Sequence, residues 1–227
     1  MSRRDEVLKE MGLSPVWRLR TSEAPDIPAP EIVIPSHPVE KMTWDELKEK
    51  VSGCTDCKLR AGCTQTVFGV GDEKAQWMLV GEAPGSEEDR LGEPFVGQAG
   101  RLLDNMLAAI DLSRGKNVYI ANVLKCRPPG NRNPEPDEVA KCSPHLLRQI
   151  GLIQPRLIVA MGRFAAQTLL GTDATIASLR GRVHSYAGVP LIVTYHPAYL
   201  LRTLEDKAKA WEDLLFAKKT MSGTPTP

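Results

Sequence analysis

The 227-residue chain has no apolar run near the roughly 18 to 20 residues that a membrane helix needs. Its densest stretch, Leu157 to Met161, is only strand length. Met1 to Glu6 carries charge with no apolar segment behind it, so no secretory signal is expected, no membrane association, and a cytoplasmic, nucleoid-associated location. No internal repeat is visible. With 42% apolar and 25% charged residues, the chain lacks the bias of a disordered segment or a coiled coil. It also lacks a charge of one sign: 29 basic against 28 acidic side chains leave +1, which at first argues against a nucleic-acid partner. An even cysteine count is missing too. Five cysteines without a signal argue against a disulfide framework and for metal or reduced thiols. What remains is a globular protein of one large or two small domains, long enough to bury a real core.

The small net charge hides a distribution. Residues 1–40 are net −2, and the remainder is +3. Residues 113–148 hold seven basic side chains against three acidic, and residues 156–202 hold five arginines against Asp173 alone. Local patches set the field a ligand meets, so two basic blocks are masked by acidic ends and by Glu82 to Glu93.

Residues 1–23 read as a short N-terminal helical segment, with Val7, Leu8 and Met11 on one side. Residues 24–40 are a proline-rich linker, since each proline removes a donor and restricts its predecessor. The folded domain is expected over 41–220, with a flexible tail at 221–227. Thr43 and Glu46 have capping-box spacing and should start a helix running to about Val51. Strand-length apolar runs at 76–80, 118–124, 157–161 and 191–194 then alternate with helical patterns at 98–111, 137–150, 163–170 and 204–218; Val183 to Ala187 is a strand without an assigned place. Such alternation means a mainly parallel α/β sheet covered on both faces. Three turn-rich segments follow strands: Gly81-Glu82-Ala83-Pro84-Gly85, Asn122 to Pro136, and Tyr195-His196-Pro197. In a parallel sheet they gather at the carboxyl edge, where open α/β sheets bind ligands.

Cys54 and Cys57 form a C-x2-C turn directly after the first core helix, Cys126 follows the second strand, and Cys142 lies on the apolar stripe of the next helix. A zinc ribbon would need a second C-x2-C, and a thioredoxin-type pair normally starts a helix rather than following one. Four thiolates in a partly apolar pocket suit an iron–sulfur cluster or a four-cysteine zinc site, structural in role, against the alternative of unliganded thiols. Lys58, Arg60, Lys125 and Arg127 could offset a cluster's negative charge. Cys63 is the odd one out.

G-E-A-P-G at 81–85, G-E-P-F-V-G-Q-A-G at 92–100, N-V-L-K-C-R-P-P-G-N-R at 122–132 and H-P-A-Y-L-L-R at 196–202 together resemble the family 4 uracil-DNA glycosylases, over about residues 50–218. The resemblance implies a three-layer α/β sandwich on a central four-stranded parallel sheet, and a [4Fe-4S] cluster on Cys54, Cys57, Cys126 and Cys142. It also implies hydrolysis of the N-glycosidic bond of a flipped-out deoxyuridine in DNA. His196 matches the motif histidine, whose neutral N–H would stabilise charge developing on the uracil O2. Asn122 matches the recognition asparagine, able to accept from N3–H and donate to O4, the reverse of what cytosine offers. Phe95 would stack on the base. Gly81, Glu82 and Ala83 would bring backbone close to the ring, and Glu82 could orient the attacking water. Ala83 stands where better-known uracil-DNA glycosylases carry aspartate. Leu200 or Leu201 would fill the vacated stack, with Arg202, Arg127 and Arg132 on phosphates. One relative traps DNA covalently through a histidine in an inserted basic loop; Arg-Pro-Pro-Gly-Asn-Arg after Cys126 has none, so turnover is expected.

A monomeric repair enzyme acting on uracil-containing DNA is thus expected, with residues 1–40 free to bind a protein partner. One alternative is a non-catalytic iron–sulfur module holding DNA or a polymerase; another is a zinc or thiol-redox protein. His37, His145 and His184 have no comparable context and read as background.

Overall fold

Runs of apolar residues without polar alternation must be covered on both faces, and four such runs form the middle of one sheet. The computed structural model describes residues 38–223. The expected N-terminal segment, all of the linker before Pro38 and residues 224–227 lie outside the described residues.

The elements are α1 (Trp44–Ser52), β1 (Val70–Gly71), β2 (Trp77–Gly81), α2 (Ser86–Leu91), α3 (Gln98–Ala108), β3 (Val118–Asn122), α4 (Pro136–Ile153), β4 (Leu157–Met161), α5 (Arg163–Leu170), α6 (Ile176–Leu179), β5 (His184–Tyr186), β6 (Val189–Thr194), α7 (Pro197–Leu200) and α8 (Lys207–Gly223), with single 3-10 turns between some of them. Strand order is β1-β3-β2-β4-β6-β5. The inner four strands are parallel, and β1 and β5 pair antiparallel at the two edges. The expected four-stranded parallel sheet is therefore the centre of a six-stranded mixed one. The edge strands are only two and three residues long, too short for a periodic signal, and the 183–187 stretch proves to be the outer half of a hairpin with β6.

Side chains alternate across β2. Met78 and Val80 pack with Leu146 and Ile150 of α4 and Ala166 and Leu169 of α5. Trp77 and Leu79 pack with Leu103 and Leu107 of α3 and Leu214 of α8. Each fully buried aliphatic side chain contributes about 1.5–3 kcal/mol, so the two layers fix the sheet rigidly between helices. The capping box at the start of α1 forms as its spacing predicts: Glu46 N–H donates to Thr43 Oγ1 at 3.4 Å, and Thr43 N–H to Glu46 Oε2 at 2.7 Å. Trp44 then meets Phe68 edge-on at 5.2 Å and Tyr119 at 5.5 Å, which delivers the following Cys54–Cys57 turn to the flank of α4. The last helical pattern, expected from 204, opens as a 3-10 turn at Leu204–Asp206, where Asp206 accepts from Tyr199 Oη at 2.6 Å. Among the described residues no helix is long and apolar enough to cross a membrane.

Candidate active site

Parallel register brings strand ends level. Gly81 lies beside Asn122, and Met161 beside Thr194, so the loops leaving all four central strands open on one edge. The chain passes from β2 to β3 on one side and then crosses to β4 on the other, which makes this edge a topological switch point. A cleft of about 780 Å³ opens there, lined by Glu82, Ala83, Phe95, Asn122, His196 and Arg202 among others. Residues 120 apart in sequence thus share one wall.

Asn122 is buried, and its Oδ1 has no partner among the described residues. An orphaned buried acceptor costs about 1–3 kcal/mol, which a ligand N–H could recover. Gly81 is what permits its approach: a Cβ there would stand 2.4 Å from Asn122 Oδ1 and 2.6 Å from the Phe95 ring. Phe95 itself has φ of +56°, a conformation few aromatic residues adopt. Arg114 holds it there, donating from Nη1 to Pro94 O and from Nη2 to Phe95 O, both at 2.8 Å, while pairing with Asp104. Glu88 joins the two glycine-bearing loops, accepting from Gly85 N–H at 3.1 Å and Val96 N–H at 3.0 Å. Neither Arg114 nor Glu88 was singled out from sequence; Gly85-x-x-Glu88, with capping-box spacing, was the available signal for the second.

His196 caps α7, its Nδ1 accepting from Ala198 N–H at 3.1 Å. That bond assigns the ring proton to Nε2. Burial pushes the imidazole pKa down to about 4, Glu88 opposing and Arg202 adding to the shift, so the ring is neutral at pH 7. It lies 5.3 Å from the Phe95 ring, tilted by 31°. Burial raises the Glu82 carboxyl to about 7, with Arg163 pulling the other way. A neutral donor and a carboxyl raised toward neutral pH on one cleft are chemically suited to divide acid and base roles.

The residues expected to face DNA divide. Leu200 is 1% exposed and packed into the protein, so it is not placed to act as a wedge, whereas Leu201 is 38% exposed. Arg132 makes a two-pronged pair with the buried carboxylate of Glu138, 2.9 Å on one side, so its charge is committed to holding the loop. Arg127 donates to Asn131 Oδ1 at 2.8 Å, within the same loop. Arg202 is exposed at the rim, and so is Arg163, which no motif had marked.

Behind Ala83 lies a second cavity, lined by Cys54, Cys57, Cys126 and Cys142 with Arg60, Lys125, Lys141 and His145. Burial raises the thiols of Cys142, to about 11, and of Cys126, and neighbouring sulfurs add to both shifts. Four sulfurs lining one cavity are a donor set that a thiophilic metal centre would complete. Lys125 N–H donates to Cys142 Sγ at 3.2 Å. Lys58 does not take the charge-offsetting role expected of it: it pairs with Glu135. His145, read as background, instead stands 3.8 Å from Cys54 Sγ, and with Asp56 its ligand atoms fall within 4.8 Å of one another. Cys63 packs in the same apolar cluster as Cys126 and Cys142.

The model of the uracil DNA glycosylase superfamily matches residues 68–215. The chain is 48% identical over 165 residues to the type-4 uracil-DNA glycosylase of Archaeoglobus fulgidus, covering 69% of this chain and 82% of that protein. It is 42% identical over 189 residues to that of Sulfurisphaera tokodaii, covering 77% and 86%. It is also 42% identical over 176 residues to that of Thermotoga maritima, covering 76% and 91%. The chain belongs to the uracil DNA glycosylase superfamily, in its type-4 family.

Proposed function

We propose that this type-4 uracil-DNA glycosylase takes uracil flipped out of DNA and hydrolyses its N-glycosidic bond, leaving an abasic site. The observation that carries the reading is the pairing of an unpartnered Asn122 Oδ1 with a neutral, Nε2-protonated His196 on one cleft wall. Uracil presents a donor at N3 and acceptors at O4 and O2, so the Asn122 amide accepts from N3–H and donates to O4, while Phe95 offers the ring a stacking face. Cytosine, unprotonated at N3 and bearing an amine at C4, would confront like with like.

As the C1′–N1 bond breaks, its electron pair moves into the uracil ring and onto O2. The His196 Nε2–H donates to that oxygen, a contact that strengthens as charge develops and so favours the transition state over the bound substrate. Water adds through oxygen to C1′, and the ionised form of Glu82 takes its proton. The uracil anion departs and is protonated from solvent. Arg202, Arg163 and Arg127 meet the phosphates, and Leu201 enters the vacated stack.

Cys54, Cys57, Cys126 and Cys142 would hold a [4Fe-4S] cluster. Bound there it supplies metal–thiolate bonds that tie the turn after α1 to α4, and no step of the hydrolysis. A purified protein with a broad brown absorption band supports this; zinc or free thiols would leave it colourless. The activity is tested by release of free uracil from single-stranded, U:A and U:G oligonucleotides. No release from any of them by the intact brown protein overturns the function and leaves a binding module.

A further inference from the structure

We infer that Lys125 is a positioning residue that couples the pose of Asn122 to the four-cysteine cavity. It is 2% exposed, among the largest fully buried side chains of the described residues, and none of those residues offers it a carboxylate. The ammonium donates to Gln149 Oε1 at 2.7 Å, to Asn122 O at 2.9 Å and to Phe68 O at 3.2 Å. Three protons thus meet three neutral acceptors, the condition under which a buried cation is tolerated. Gln149 is fixed in turn, its Nε2 donating to Phe68 O at 3.0 Å. The ammonium curls back three residues to hold the carbonyl of Asn122 at the end of β3, while the backbone N–H of Lys125 reaches Cys142 Sγ at 3.2 Å. One residue therefore grips the uracil-reading asparagine with one end and a cysteine of the cavity with the other. The intervening Val123 and Leu124 are pinned to the Glu82 loop, donating to Gly81 O and Glu82 O at 3.0 Å, so the segment has no slack to absorb a shift at either end. A cavity that looks purely structural would by this route set how well uracil is read.

The inference rests on the reading of Asn122 as the uracil-binding amide, and a double-mutant cycle separates the two. Lys125→Met, Asn122→Ala and the double variant are compared in brown, cluster-loaded protein, with KM, single-turnover rate and melting temperature measured for each. Gln149→Leu, which removes one acceptor and leaves the lysine, stands in if Lys125→Met fails to fold. If Lys125 acts through Asn122, its loss raises KM about tenfold in the wild-type background and changes little once Asn122 is alanine, because a coupled pair is not additive. A second readout is visible absorption: uracil-containing DNA should slow bleaching of the brown band by a chelator in wild-type protein, and the protection should vanish in Lys125→Met, since coupling is reciprocal. Equal losses in both backgrounds, with undiminished protection, overturn the coupling and leave Lys125 a plain core residue. If Asn122→Ala itself keeps full activity and full rejection of cytosine, the reading of Asn122 falls instead.

Discussion

Asn122 and His196 end neighbouring halves of the same sheet edge, yet they are held by opposite means. On the β2–β3 side the cleft wall is braced by bonds between residues well separated in sequence as well as by local ones. Arg114 grips the Phe95 loop from the turn between α3 and β3, Glu88 bridges two loops, and Lys125 braces Asn122 against α4. On the β6 side His196 is set by its own helix cap, a bond two residues long, and the chain then runs out to exposed Leu201 and Arg202. Recognition demands a pose that does not adapt, because discrimination comes from leaving the wrong base unpaired. In the proposed function the exposed arm must instead present side chains to a bending duplex, and local capping would leave it free to do so.

Glu82 stands where the two sides face each other, opposite Arg163, and its removal should cost most. Glu82→Gln is expected to lower the single-turnover rate by about 10²–10⁴, the usual range for a lost general base. With its pKa raised to about 7, wild-type kcat/KM should climb from pH 5 to pH 8 and the variant's should be flat over that range. Stability moves the other way. A carboxyl that ionises near 4.5 in the unfolded chain and near 7 in the folded one binds more protons when folded between those values, so wild-type protein loses stability as pH rises through that window. Glu82→Gln should therefore melt higher than wild type at pH 8 and no higher at pH 4. A pH–rate limb that survives in the variant would move the base elsewhere.

Next in size are the two strand ends themselves. His196→Ala removes one donor to a developing anion, an expected loss of about 10²–10³ in the chemical step with little change in DNA affinity. Asn122→Ala removes a desolvated hydrogen-bond partner, an expected loss of about 10- to 100-fold that should appear chiefly in KM and in tolerance of cytosine. If the histidine variant lost affinity and the asparagine variant lost only rate, the division between a reading side and a reacting side would be inverted.

What was legible in the sequence follows the range of the interaction that carries it. Apolar runs such as Leu157–Met161 show a both-faces-buried strand by themselves, and Thr43 with Glu46 shows a helix start, because both signals are local. The motif glycines and His196 fell at strand ends and so announced a shared edge. Edge strand β1 was illegible, and β5 was legible as a strand but not in its place, because edge positions are set by partners rather than by pattern. Arg114, His145 and the grip of Lys125 on Asn122 escaped for the same reason, although Lys125 was legible as a cation near the cysteines. Each of the three was an ordinary charged or polar residue until the fold brought partners 19, 91 and 24 positions away within reach. Leu200 and Leu201 could not be told apart in sequence, since one turn of α7 decides which of them faces the protein.

That last pair gives the smallest expected effect and the cleanest test of the exposed arm. Leu200→Ala empties a buried site, which should cost about 2–5 kcal/mol of stability while any properly folded fraction keeps its affinity for DNA. Leu201→Ala removes a side chain that is 38% exposed and should leave the melting temperature within a degree or so. Its effect belongs to the duplex: with no wedge to fill the vacated stack, the flipped state loses part of what offsets unstacking, and KM for U:A and U:G substrates should rise a few-fold. Single-stranded uracil has no opposing base pair to reopen, so the same substitution should leave that KM nearly unchanged. Equal rises on both substrates would make Leu201 a general contact with the strand, and the local cap on His196 would then serve to place the base rather than to free the arm.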